Sequence, residues 1–125
     1  MIELTYDKQL EFLLAQVHGD LSFEDVQGFM TEVLSSEDIP SEVNTLWDAT
    51  EMEFEKMDYD LQAKIVEMRK KFNLQRGNAK IAIVSDYQLG EVMVKLFLIL
   101  MEEISQEVKS FKTREEALLW FKQVH

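Results

Sequence analysis

Ile81-Ala82-Ile83-Val84-Ser85-Asp86 is the stretch on which the fold turns. Four apolar residues run without a polar interruption and stop at Ser-Asp. A run of this kind reads as a parallel strand covered on both faces, whereas a strand with one wet face alternates. Parallel neighbours need crossover connections, and the sequence on either side has helical spacing. Upstream, Leu61, Ile65, Met68 and Phe72 share one helical face. That segment ends in Arg69, Lys70, Lys71 and Arg76, which suits the negative pole of a helix dipole, and Gly77 closes it. Downstream, Leu89, Val92, Met93, Leu96, Phe97, Leu100 and Ile104 recur at helical spacing. Leu98, Ile99 and Met101 widen this apolar arc beyond what a simple surface helix needs.

Further out, Ile2, Leu4 and Tyr6 alternate with Glu3, Thr5 and Asp7, the period of a half-buried strand. Asp7-Lys8-Gln9 reads as a turn. Phe12 to Val17 reads as a second strand ending at His18-Gly19-Asp20, which makes an opening antiparallel hairpin. Ser22-Phe23-Glu24-Asp25 then has the spacing of a capping box, with Asp in place of Glu or Gln. Phe23, Val26, Phe29, Met30, Val33 and Leu34 follow at helical spacing. Ser35 to Glu42, with Pro40 inside, is the expected loop out. Val43 to Trp47 is the expected third strand, ending in Asp48-Ala49-Thr50. After the long apolar helix, Glu107 to Phe111 reads as a fifth strand. Thr113-Arg114-Glu115-Glu116 is a second capping box, opening a helix with Ala117, Leu118, Trp120, Phe121 and Val124. The order predicts one α/β domain over residues 1–125, a mostly parallel, mixed five-stranded sheet with four helices that begins with an antiparallel hairpin.

Composition narrows the function classes. The chain has 125 residues, with 13 Lys+Arg against 24 Asp+Glu, a formal charge of −11. Nucleic-acid binding rests on cations that neutralise phosphates, so this charge argues against it; anionic membrane surfaces are repelled for the same reason. The absence of Cys excludes disulfides, thiolate metal sites and cysteine catalysis. Met1-Ile2-Glu3-Leu4-Thr5-Tyr6-Asp7 lacks the basic and apolar regions of a signal peptide. Val92 to Met101, the most apolar stretch, is interrupted by Lys95 and is well short of the roughly 20 residues that span a bilayer. A soluble, cytoplasmic protein without stable membrane insertion is expected.

In open α/β sheets, ligands sit beyond the carboxyl ends of the parallel strands. Asp48-Ala49-Thr50, Ser85-Asp86-Tyr87 and Lys112-Thr113 qualify. Asp48 and Asp86 together could hold a divalent cation through oxygen ligands. Against that stands the ordinary use of Asp, Ser and Thr in turns and helix caps. A receiver-like phosphoacceptor would use Asp48 with Lys112, but the acidic pair it needs after the first strand is missing. His18 and His125 are too few for a three-ligand zinc site, no Gly-x-Ser-x-Gly stretch exists, and Gly19, Gly28, Gly77 and Gly90 are too scattered for a phosphate loop. No catalytic constellation, metal site or cofactor is predicted. Met52, Phe54, Met57 and Tyr59 before the second helix, and Met93, Phe97 and Met101 in the third, offer adaptable apolar contact for a ligand or a partner helix, or ordinary core packing.

The order of elements resembles the STAS fold of anti-sigma-factor antagonists, and the chain is most similar to its SpoIIAA-like offshoot. Ala79-Lys80-Ile81-Ala82-Ile83-Val84-Ser85-Asp86, a long amphipathic helix, Val108-Lys109-Ser110-Phe111 and Glu115-Glu116-Ala117-Leu118-Leu119-Trp120-Phe121 carry the likeness. Val17-His18-Gly19 and Leu46-Trp47-Asp48 match in pattern. The resemblance implies a non-enzymatic regulatory or binding module. Its phosphorylatable serine has no counterpart in Met57-Asp58-Tyr59-Asp60-Leu61, so that switch is not expected, and Thr50 is an untested substitute. Where SpoIIAA-like chains often open the fourth strand with Arg, this one has Lys80, which keeps the charge and loses the planar fork. The expected site is lined by Asp48, Thr50, Tyr59, Ser85 and Asp86 on its polar side and by Met57, Met93 and Phe97 on its apolar side. Its occupant would be a protein partner or a small apolar ligand. The alternatives are a phosphoacceptor or metal-assisted enzyme using Asp48, and a structural homodimer built on the third helix.

Overall fold

The computed structural model describes residues 1–40, 42–53, 59–76, 79–85 and 107–123, with backbone alone for 69 and 71–76. Five strands form one sheet in sequence order, β1 (Ile2–Asp7), β2 (Phe12–Gly19), β3 (Asn44–Met52), β4 (Ile81–Val84) and β5 (Val108–Phe111). The hairpin pair β1–β2 is antiparallel and the remaining pairs are parallel. Three described helices accompany them, α1 (Phe23–Ser35), α2 (Tyr59–Arg76) and α3 (Arg114–Phe121). The apolar helix expected over residues 89–104 lies outside the described residues.

Crossovers between parallel neighbours are right-handed, so strands that advance in one direction place successive helices on one face. Accordingly α1 and α2 share a core: Val26, Phe29, Met30 and Val33 meet Ile65 and Met68 over Leu13 and Ala15 of β2. The Trp47 ring closes this side against Phe29, with ring centroids 4.7 Å apart. On the opposite face α3 lays Ala117 and Trp120 over Phe12, Leu46, Ala82 and Val84. All four residues of β4 are buried, as an uninterrupted apolar run on a doubly covered sheet requires.

Local chemistry sets the element ends. The Ser22 hydroxyl accepts from Asp25 N and the Asp25 carboxylate accepts from Ser22 N, a complete capping box. At α3 the Thr113 hydroxyl accepts from Glu116 N (3.3 Å), but it also donates to Glu116 Oε1 (3.1 Å), so the Glu116 carboxylate returns to the hydroxyl. Gly19 closes β2 at φ 67°, a conformation that a Cβ would strain. Two strands run past their expected ends. β2 includes His18 and Gly19, and β3 continues from Asp48 to Met52.

Candidate functional site

That extension of β3 decides the geometry of the site. Gln16 pairs with Asp48 and His18 with Glu51, so two steps along β2 match three along β3. β3 therefore carries one extra residue at Ala49-Thr50, a bulge of the kind that re-aims side chains. Asp48 is not a turn residue at the strand's end, as its Asp-Ala-Thr context suggests, but a strand residue inside the sheet. Leu46 belongs to the α3 side, and alternation puts Asp48 on that side too.

Asp48 is 3% exposed. Its Oδ1 accepts from the Thr50 hydroxyl (2.6 Å) and from Thr50 N (3.0 Å), the latter a backbone donor at the bulge. Its Oδ2 accepts from Arg114 Nε (2.5 Å). Burial alone would push the carboxyl pKa up; the two Thr50 donors and the Arg114 guanidinium outweigh it, so the net displacement is downward. Arg114 Nη2 also donates to Gln16 Oε1 (3.0 Å). The guanidinium thus ties the first turn of α3 to both β2 and β3 at the carboxyl edge of the parallel strands.

Arg114 is the residue that sequence reasoning missed. It appears only inside a capping motif, yet it puts a cation at the first helical position, where the helix dipole favours anions. Glu115 and Glu116 answer the dipole; Arg114 answers Asp48. A residue that breaks a local preference was the available signal.

The remaining candidates divide. Thr50 is brought onto Asp48. Tyr59 opens α2 and is well exposed. Ser85 follows β4, but Ile81 and Ile83 face Trp47 and Val108 while Val84 faces α3, so alternation carries Ser85 to the side away from Asp48. Its hydroxyl is buried with no hydrogen-bond partner among the described residues. Met57, Asp86, Met93 and Phe97 lie outside the described residues, and so does any meeting of Asp48 with Asp86. No group of three His, Asp or Glu among the described residues could hold a metal ion.

Lys80 performs a different task from any ligand contact. Its buried Nζ donates to Trp120 O (3.0 Å) and Gln123 O (2.7 Å), capping the carboxyl end of α3, and lies 5.2 Å from the Trp120 ring centroid. A lone ammonium suffices where the acceptors are two helix-end carbonyls.

The SpoIIAA-like family model matches residues 12–122 of the chain. The chain belongs to the SpoIIAA-like family. Among solved structures it is similar to an uncharacterized protein of the DUF3478 family with a SpoIIAA-like fold from Shewanella loihica PV-4. The TM-score is 0.65 at 19% identity, over 97% of this chain and 92% of that one. No curated protein matches. The SpoIIAA-like domain therefore has the sheet and hairpin that its strand pattern predicts. No helix among its described residues is long and apolar enough to cross a membrane.

Proposed function

We propose that this SpoIIAA-like domain is a non-enzymatic regulatory module that docks a protein partner at the carboxyl edge of its parallel sheet. One observation carries the reading: the Asp48 carboxylate is consumed by the fold. Its two oxygens take three donors, and it is almost fully buried. A phosphoacceptor or a general base needs a reachable lone pair, and a base works best with a pKa near the operating pH. Asp48 has neither. Its arrangement suits a post that aims Arg114, whose side chain is 41% exposed. Two of the five guanidinium N–H groups are committed to Asp48 and Gln16, and the exposed remainder can meet a partner's carboxylate or carbonyl oxygens.

Native mass spectrometry of the chain purified from its expression host, with the denatured mass as reference, tests this reading. A protein adduct that is lost on denaturation and lost in Arg114→Gln supports docking at this edge. An adduct retained in Arg114→Gln overturns the placement. A small-molecule adduct replaces the protein partner with an apolar or polar ligand, and a doubled mass of the bare chain replaces it with a second copy.

A further inference from the structure

β1 is an edge strand, paired with β2 on one side and with no described residue on the other. At its start the Met1 ammonium donates to His18 O (3.0 Å) and His18 N donates to Met1 O (2.9 Å). Such doubly bonded pairs alternate along an antiparallel ladder. Glu3, Thr5 and Asp7 therefore bond to β2, while Ile2, Leu4 and Tyr6 turn their N–H and C=O groups outward. Edges of this kind are ordinarily blunted by Pro, by lysines or by a bulge. β1 contains neither Pro nor Lys, and its register against β2 runs unbroken from Ile2 to Asp7. Its side chains are sorted by face: Ile2, Leu4 and Tyr6 are half-buried against the α1 core, and Glu3 and Thr5 are exposed.

The charge around this edge has one sign. No Lys or Arg occurs between Lys8 and Lys56, a stretch that holds half of the chain's 24 Asp+Glu. That stretch builds β2, α1 and β3, so the fold gathers it in the half of the sheet that ends in β1. α1, which packs on β1, carries Glu24, Asp25 and Glu32 and no cation. On β1 itself, Glu3 Oε2 lies 3.0 Å from His18 Nε2, and the Glu3 side chain stays 63% exposed. Glu51 is turned onto β2 instead: its Oε2 lies 2.7 Å from His18 Nδ1 and accepts from Gln16 Nε2 (3.3 Å). The flanking cations are the Met1 ammonium, 3.6 Å from Asp25 Oδ2, and Lys8 beyond Asp7.

We propose that the β1 edge takes an extended segment of a partner protein, with Lys or Arg alternating with apolar residues, as an added strand. Backbone bonds to Ile2, Leu4 and Tyr6 supply the pairing. The strand period then puts the partner's apolar residues beside Leu4 and Tyr6 and its cations beside Glu3 and Asp7. Charge selects this occupant over a second copy, since two β1 edges brought together would set the acidic half against itself. The inference stands apart from docking at the carboxyl edge: it uses neither Arg114 nor Asp48.

A blocked synthetic peptide of alternating Lys and Val, titrated into the full chain, tests it by amide hydrogen exchange read residue by residue by NMR. Exchange of the Leu4 and Tyr6 amides is expected to slow several-fold. The same peptide with Glu in place of Lys is expected to leave it unchanged. Leu4→Pro removes the central outward N–H, a place where an edge strand tolerates Pro, and is expected to abolish the slowing at Tyr6. Should that variant unfold, Glu3→Lys with Asp7→Lys serves instead, with the preference expected to pass from the Lys peptide to the Glu peptide. Leu4 and Tyr6 amides that ignore the Lys peptide overturn the proposal, as does an equal response to a peptide with the same Lys and Val in two blocks. Slowing that follows protein concentration without peptide overturns it too, and assigns the edge to a second copy. Each of these outcomes leaves the carboxyl-edge reading untouched, because that one is read from an adduct lost in Arg114→Gln.

Discussion

Asp48 holds a charge in a buried place because three donors converge on it, and this has a consequence in acid. Its folded-state pKa lies below the ordinary 3.8, so ionised Asp48 stabilises the fold at every pH above that value. The contribution is lost as pH falls from there through the folded-state value. Urea midpoints measured from about pH 5 to about pH 2 are expected to fall more steeply for the wild type than for Asp48→Asn; parallel curves would remove the carboxylate from the account. Ser85 is the opposite case, a buried hydroxyl without a partner among the described residues. Ser85→Ala is expected to raise stability by about 1 kcal/mol, since an unsatisfied buried group costs its desolvation. A loss of similar size in thermal melts would show that the hydroxyl is satisfied. Both residues are visible in sequence as polar punctuation after apolar runs. That context does not reveal which is paired, because pairing depends on Arg114, 66 positions away.

At the scale of elements, α3 shows how a helix of 8 residues is held. Helices this short are marginal in water, so packing and caps must hold it. Thr113 begins it, Arg114 ties its first turn to β2 and β3, and the Lys80 ammonium donates to the carbonyls at its end, with Trp120 and Ala117 buried between. Lys80→Met keeps the aliphatic stem and removes two charge-assisted bonds to carbonyls; a loss of about 2 kcal/mol in chemical denaturation is expected. An unchanged midpoint would mean that the carbonyls find other donors. The capping residues and the apolar face of α3 were legible in sequence; the distant Lys80 was not. β3 illustrates the converse difficulty. Asp48-Ala49-Thr50 looks like a stop because turns use those residues, yet the bulge absorbs one residue and pairing resumes at Glu51 and Met52.

For the molecule as a whole, one sheet with helices on both faces leaves the carboxyl edge of β2–β5 as the place where polar side chains from several strands meet. A cation-dependent chemistry at that edge would need more free oxygen ligands than Asp48 offers. Millimolar Mg²⁺ or Ca²⁺ is accordingly expected to leave the melting temperature unchanged, whereas a clear rise would reveal a carboxylate site that binds the folded state. The formal charge of −11 makes added monovalent salt the necessary control, because screening alone relaxes self-repulsion.

The kinds of element and their order follow from local pattern along the chain. Periods of 2 and 3.6 are local properties of a chain, and the uninterrupted Ile81–Val84 run declares a strand buried on both faces. With right-handed crossovers, that order leaves few arrangements of one sheet. Which polar residues meet depends instead on how the elements pack. A single-residue bulge in β3 and the docking of α3 bring Arg114 to Asp48, Gln16 to both Glu51 and Arg114, and His18 between Glu3 and Glu51. Those contacts depend on register and on side-chain direction across strands, and neither is encoded within any one window of the chain.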